Sequence, residues 1–226
     1  MKIGIICAVS REYQPYLEAL TNKEEVKIAK FTFHTGELFG NQVAIVHSGV
    51  AKVNAALATQ ILIDKFKCDF IILSGTAGAL DPDLKIGDTI VPERLHYHDV
   101  EVMNMADHFP FVPNAVFHAS KKFLNIASTI KAKLGLNIKF GDFACGENFI
   151  KGTRRKEIRE QLKAIAVDME TASVAHTCYI YDIPFGVVKS ITDCPKNDSQ
   201  DHFEENVVDA SKNSFQVVKE IVMAMA

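Results

Sequence analysis

The sequence predicts an α/β protein, a three-layer sandwich in which a central mixed, largely parallel twisted sheet is flanked by helices. Two observations carry that expectation. Short apolar, β-rich runs alternate with stretches of helical period along nearly the whole chain. Several of those runs are too continuously apolar for a sheet with one face in water, so they read as buried strands. In chain order the reading is strand 2–9, helix 12–20, strand 43–47, helix 53–65, strand 70–73 and strand 89–91. There follow helix 119–134, helix 155–163, strand 165–167, helix 169–181, strand 185–190 and a long last helix from about 204 to 225. The stretch 93–117, rich in His, Met and Phe and interrupted by two prolines, has no clear period and reads as a long excursion.

Composition narrows the class of function. With 226 residues, 48% of them hydrophobic and 23% charged, the chain has the make-up of an ordinary globular protein. That length suffices to bury roughly 70% of the surface an unfolded chain exposes. No linker, repeat or low-complexity tract divides it, so one domain over 1–226 is expected. A net charge of -3 without a basic stripe argues against nucleic acid as a partner. Residues 1–9 lack the form of a secretory signal, and no apolar run is long enough to span a bilayer, so no membrane partner and a cytoplasmic location are expected. The five cysteines (Cys7, Cys68, Cys145, Cys178, Cys194) are widely spaced with no CxxC pair and read as free thiols.

In open α/β sheets ligands lie beyond the carboxyl ends of strands. Four polar clusters follow apolar runs: Ser10-Arg11-Glu12, Ser74-Gly75-Thr76-Ala77-Gly78, Asp168-Met169-Glu170 and Thr192-Asp193. Glu12, Glu170 and Asp193 therefore come from distant parts of the chain to one sheet edge. Breaking a glycosidic bond needs an acid for the leaving group and a base for water on the opposite face. Two separated carboxylates supply that pair, and a third can accept hydrogen bonds from sugar hydroxyls. Each of these acids taken alone reads equally as a helix cap.

The 74–78 segment reads as a Gly-rich turn that lets a ligand approach backbone, or as a turn needed only for packing. It matches neither GxGxxG nor GxxxxGK[ST], which disfavours a dinucleotide or Walker-type phosphate site. His96 and His98 with Asp99 alternate along an extended segment without a third ligand, so no metal is expected. There is no GxSxG elbow for a serine nucleophile. Phe149 and Phe203 each suit either stacking on a base or core filling. These residues by themselves describe a small-molecule enzyme.

Taken in order, MKIGIICAVSREY, SGVAKVNAA, LSGTAGAL followed by KIGD, GENFI, AVDMETASVAH and ITD resemble the 5′-methylthioadenosine/S-adenosylhomocysteine nucleosidases over nearly the whole chain. The resemblance implies a nucleoside phosphorylase-like fold, no cofactor, and hydrolysis of a 5′-thio-substituted adenosine to adenine and the thio-substituted ribose. It implies Glu12 as the base for water, Asp193 as the acid at adenine N7 and Glu170 as the acceptor of ribose hydroxyls, with Met169 against the ribose. Phe149 falls on the residue over adenine and Ile150 on the one whose backbone reads the Watson–Crick edge. Thr76 replaces a serine often found at its turn, beside Ala77 and Gly78, and Val9, Val50 and Phe203 match apolar positions around the 5′-alkylthio group. Two positions depart from the family pattern. Lys189 stands for an arginine near the water and ribose, and Met105 for an aromatic at the 5′ pocket. Family members are homodimers, which implies that the stretch 108–113 serves the neighbour's site. The rival readings are a phosphorylase, against which Leu73 stands where phosphorylases of this kind carry a phosphate-binding arginine, and a non-catalytic nucleoside binder.

Overall fold

The computed structural model describes residues 1–134, 137–196 and 200–226. Its strands are β1 (Lys2–Cys7), β2 (Thr21–Ile28), β3 (Phe31–Leu38), β4 (Asn41–His47), β5 (Phe70–Ala79), β6 (Thr89–Tyr97), β7 (Val116–His118), β8 (Ile138–Cys145), β9 (Ala166–Asp168) and β10 (Phe185–Asp193). Its helices are α1 (Ser10–Ala19), α2 (Lys52–Asp64), α3 (Val102–Ala106), α4 (Lys121–Leu134), α5 (Thr153–Leu162), α6 (Thr171–Tyr181) and α7 (Gln200–Met225).

The alternation of side chains along the strands explains the layers. On β1, Ile3, Ile5 and Cys7 face one apolar cluster with Tyr16 of α1, Phe123 of α4 and Val218 and Ile221 of α7. Ile6 faces the opposite cluster, built with Ala58 and Leu62 of α2 and Ala172, Val174 and Ala175 of α6. Strand β5 does the same: Phe70 and Ile72 point to the first layer, Ile71 and Leu73 to the second. A strand covered by helices on both faces needs apolar residues at every position, which is why these runs show no polar alternation.

The sheet is mixed. β1 pairs in parallel with both β4 and β5, and β5 in parallel with β10. β10 pairs antiparallel with β6, β6 and β8 pair in parallel, β8 and β9 in parallel, and β9 returns antiparallel to β5. Five strands thus form a closed circuit, from which β1, β4, β3 and β2 extend as an open wing. Closure removes edges where the central strands would otherwise expose unpaired backbone.

Four expectations need correction. The 74–78 segment is not a turn: β5 continues to Ala79, held by β10 from Val188 opposite Ser74 to Asp193 opposite Gly78. β10 likewise runs on to Asp193. The hairpin β2–β3 and strand β8 were not expected, because β2 (TNKEEVKI) is exposed and polar and β8 carries Lys139, Gly141 and Asp142 among its apolar residues. The excursion over 93–117 contains the end of β6, helix α3 and the start of β7. All five cysteines are free, and no helix among the described residues is long and apolar enough to cross a membrane.

Candidate active site

The polar ends of β5, β9 and β10 and the starts of α1, α6 and α7 meet around a cavity of about 380 Å³. That volume lies in the range of small-molecule sites. Among the described residues its walls hold Glu12, Asp168, Glu170, Asp193 and Glu204 against one cation, Arg11, which pairs with Glu204 at 2.5 Å.

Glu12 sits in the first turn of α1 and is buried. Its Oε2 accepts from the backbone N–H of Ala8 (2.9 Å) and of Val9 (3.1 Å). Its Oε1 accepts from the N–H and Oγ1 of Thr76, both at 2.7 Å. Glu12 thus serves as the capping-box acid of α1, whose N-cap is Val9, and it also lines the cavity. Gly75 makes the arrangement sterically feasible: a Cβ there would lie 2.5 Å from Glu12 Oε1.

Glu170 is the N-cap of α6, and its Oε1 accepts from Ala51 N–H at 2.8 Å. Behind it Asp168 accepts from the N–H groups of Glu170 and Thr171 and from Thr171 Oγ1, which secures the start of the helix. Lys189, wholly buried on β10, places Nζ 3.0 Å from Asp168 Oδ2 and 3.7 Å from Glu170 Oε2, as an ion pair without hydrogen-bond alignment. Burial alone would lower the Lys189 pKa; the carboxylates of Asp168, Glu12 and Glu170 outweigh it and raise it. Glu170 moves the other way for a carboxylate. Burial pushes it up to about 7, against the pull of Lys189 and with the push of Asp168.

Asp193 ends β10, buried, with Oδ1 accepting from Thr192 Oγ1 at 2.7 Å and Oδ2 from the guanidinium of Arg155. Here too a glycine clears space, since a Cβ on Gly78 would lie 2.8 Å from Asp193 Oδ2.

Of the residues expected at the site, Val9, Val50, Thr76, Ala77, Gly78, Phe149, Met169 and Phe203 line the cavity with the three acids. Phe149 is 37% exposed and meets Phe203 edge to face at 6.5 Å between centroids, so neither ring serves as core filling. Ile150 lines a small recess of about 30 Å³ beside it. Lys189 stands behind Asp168 and Glu170 and does not line the cavity. Met105 is not brought there by its own chain: it is buried in a core cluster with Leu95, Val112 and Phe117, and its carbonyl accepts from Val112 N–H. The expected pairing of Met105 with a 5′ group is therefore not met within one chain. His96 pairs with Asp142 at 3.3 Å and Asp99 with Lys52 at 2.8 Å; among the described residues no group of three or more His, Cys, Asp or Glu is set to hold a metal ion.

Two site residues were missed. Asp168 was noted only as part of a strand-end cluster, and its order with Thr171, three residues on, is a capping signal that marks it as structural support. Arg155 lies in the run Thr153-Arg154-Arg155-Lys156-Glu157, which reads as a solvated helix face, and nothing in that run separates the buried arginine from the exposed one.

The phosphorylase superfamily model matches residues 2–223. The chain is 35% identical over 224 residues to a 5′-methylthioadenosine/S-adenosylhomocysteine nucleosidase of Staphylococcus aureus, covering 97% of this chain and 98% of that one. Among solved structures it is similar to the nucleosidase of Neisseria meningitidis in complex with methylthio-immucillin-A, at TM-score 0.91 and 30% identity, with 99% of each chain covered. It is similar also to that of Colwellia psychrerythraea in complex with adenine, at TM-score 0.90 and 35% identity, covering 98% of this chain and 94% of that one. The chain belongs to the 5′-methylthioadenosine/S-adenosylhomocysteine nucleosidase family, within the phosphorylase superfamily.

Proposed function

We propose that this protein hydrolyses the N-glycosidic bond of 5′-methylthioadenosine, and of S-adenosylhomocysteine, releasing adenine. The observation that carries the reading is the convergence of Glu12, Glu170 and Asp193 on one cavity that has an aromatic wall at Phe149 and Phe203. Asp193 gives a proton to N7 as the C1′–N9 electron pair leaves with the base. Water bonds to C1′ and passes its proton to Glu12, which four donors hold in place as an acceptor. Glu170 accepts from the ribose hydroxyls, with Met169 against the ring. Val9, Val50 and Phe203 form the apolar end for the 5′ substituent, and Lys189 supports Glu170 from behind. Chromatographic detection of adenine after incubation with either nucleoside tests the reading, and an unchanged substrate peak at micromolar enzyme contradicts it.

The charge of the site favours water over phosphate. Among the described residues, five carboxylates and one paired arginine line the cavity, and Leu73 is buried in the core. A phosphate dianion placed there meets like charge on several sides.

The Glu170 role has a pH signature. Glu170 is ionised, and able to accept two hydroxyl hydrogen bonds, above about 7. Substrate affinity is expected to fall about tenfold per pH unit below that value, and Glu170→Gln to flatten the profile. Stability moves in the opposite sense. Between about 4.5 and 7 the folded chain holds a proton that the unfolded chain has shed, so this group's contribution to stability declines as pH rises through that window. A KM independent of pH from 5 to 8 would remove Glu170 from the ribose subsite.

The 226 residues work as one domain, and the free thiols suit the reducing cytoplasm. The active form is a homodimer. Phe109 (76% exposed), Phe111, Tyr179 and Ile180 leave apolar surface in water around a groove that also holds Pro110 and Pro113. Pairing of two chains over it buries that surface. A single-chain mass in sedimentation equilibrium would contradict the dimer.

A further inference from the structure

Charge is distributed unevenly over the cavity wall. Glu12, Asp168, Glu170 and Asp193 line it from buried positions. Arg11 and Glu204 line the same cavity but keep 39% and 48% of their side-chain surface in water, with Arg11 Nη1 2.5 Å from Glu204 Oε2. Among the described residues these two are the charged groups of the wall that meet solvent, and so they mark its mouth. They reach it from separate elements. Arg11 stands in the first turn of α1, two residues after Val9, and Glu204 near the start of α7, directly after Phe203. Val50, which lines the cavity with Val9 and Phe203, is itself 43% exposed, so this apolar end opens to the same solvent. An ion pair as exposed as Arg11–Glu204 adds little to stability. One hydrogen bond joins the two side chains. A guanidinium carries five N–H donors and a carboxylate about four acceptor sites, so each can engage a second charged group alongside the first.

On the reading above, on which this inference rests, the 5′ substituent lies against Val9, Val50 and Phe203. The two nucleosides proposed as substrates differ only in that substituent. The methylthio group ends in a methyl, which apolar side chains suit. The homocysteine tail ends in an ammonium and a carboxylate on one carbon. Leaving either charge among apolar side chains is costly, so the tail has to run past them to the mouth. There it meets a cation and an anion side by side. A zwitterion laid along that pair in the opposite sense brings each of its charges against an opposite one. A tail with a single charge gains one partner and is repelled by the other.

We propose that Arg11 and Glu204 form the subsite for the amino-acid end of the 5′ substituent, Arg11 holding its carboxylate and Glu204 its ammonium. The pair sets the preference among 5′ groups and takes no part in the cleavage at C1′, which stays with Glu12 and Asp193.

The test is the ratio of kcat/KM for S-adenosylhomocysteine to kcat/KM for 5′-methylthioadenosine, measured by release of adenine. Arg11→Gln and Glu204→Gln are each expected to lower this ratio by about tenfold, the effect of losing one charge-assisted hydrogen bond. The ratio separates contact with the tail from a structural role, since a pair that only fastened α1 to α7 would on breaking weaken both substrates alike. Thermal melting checks the fold of each variant. A second measurement needs no variant. Adenosines with a 3-aminopropylthio or a 3-carboxypropylthio group at the 5′ position keep the length of the tail and one of its charges. Their kcat/KM values on the unmodified protein are expected to lie about tenfold below that of S-adenosylhomocysteine. A ratio unchanged in either variant, or single-charge tails cleaved as well as the zwitterion, overturns the proposal and leaves the nucleosidase reading intact. Failure to release adenine from any of these nucleosides overturns that reading, and the proposal with it.

Discussion

Asp193→Asn is expected to lower kcat by about 100- to 10,000-fold, the range typical of a positioned acid or base, with KM changed much less. The substitution isolates the proton from the geometry. Asp193 Oδ2 accepts from Arg155, and Oδ1 from Thr192 Oγ1. An asparagine that turns its carbonyl oxygen to Arg155 keeps that acceptor, and its amide then faces the threonine hydroxyl, which can accept as well as donate. Shape and packing survive; the proton for N7 does not. A thermal melt close to that of the parent chain separates loss of chemistry from loss of fold. Turnover within tenfold of the parent enzyme would show that the leaving base draws its proton from elsewhere.

Glu12→Gln is expected to cost both rate and stability, in contrast to the conservative change at Asp193. Four donors converge on the Glu12 carboxylate, three of them backbone N–H groups that cannot rotate away. An amide nitrogen in place of either oxygen confronts at least one of these with another donor. A buried donor left unpaired costs about 1–3 kcal/mol. The lost base should lower kcat by about 100- to 10,000-fold in addition. Stopped-time assays for adenine and urea denaturation read the two effects separately. A variant with parental kcat would place the base at another residue, and one with parental stability would mean that the two Thr76 contacts do not tie α1 to β5.

The contrast between these two acids reflects what a sequence makes legible. Glu12, Glu170 and Asp193 follow apolar runs, so the strand-end rule brings them to one edge although they lie far apart in the chain. For Glu12 a cap role and a place in the cavity are compatible: its Oε2 accepts from Val9 N–H at the start of α1, and the residue lines the cavity. Glycines mislead where they serve space rather than backbone freedom. Gly75 and Gly78 lie in an extended strand, and their missing side chains make room for Glu12 and Asp193, so a reading based on turn propensity ended β5 too early. In β2 only Val26 and Ile28 are apolar, too short an alternation to reveal the strand, and closure of β5, β10, β6, β8 and β9 into a circuit depends on pairings between remote strands. Arg155 was hidden by its neighbours Arg154 and Lys156, because burial of one arginine in a basic run is a property of the fold and not of the run.

The central claim is that water attacks C1′ in a site too anionic for phosphate. The direct measurement follows the sugar product by NMR, starting from 5′-methylthioadenosine, in phosphate-free buffer and again with phosphate in excess. Free 5-methylthioribose formed at equal rates in both buffers is the expected result. Strict dependence on phosphate, with 5-methylthioribose 1-phosphate as the product, would contradict it.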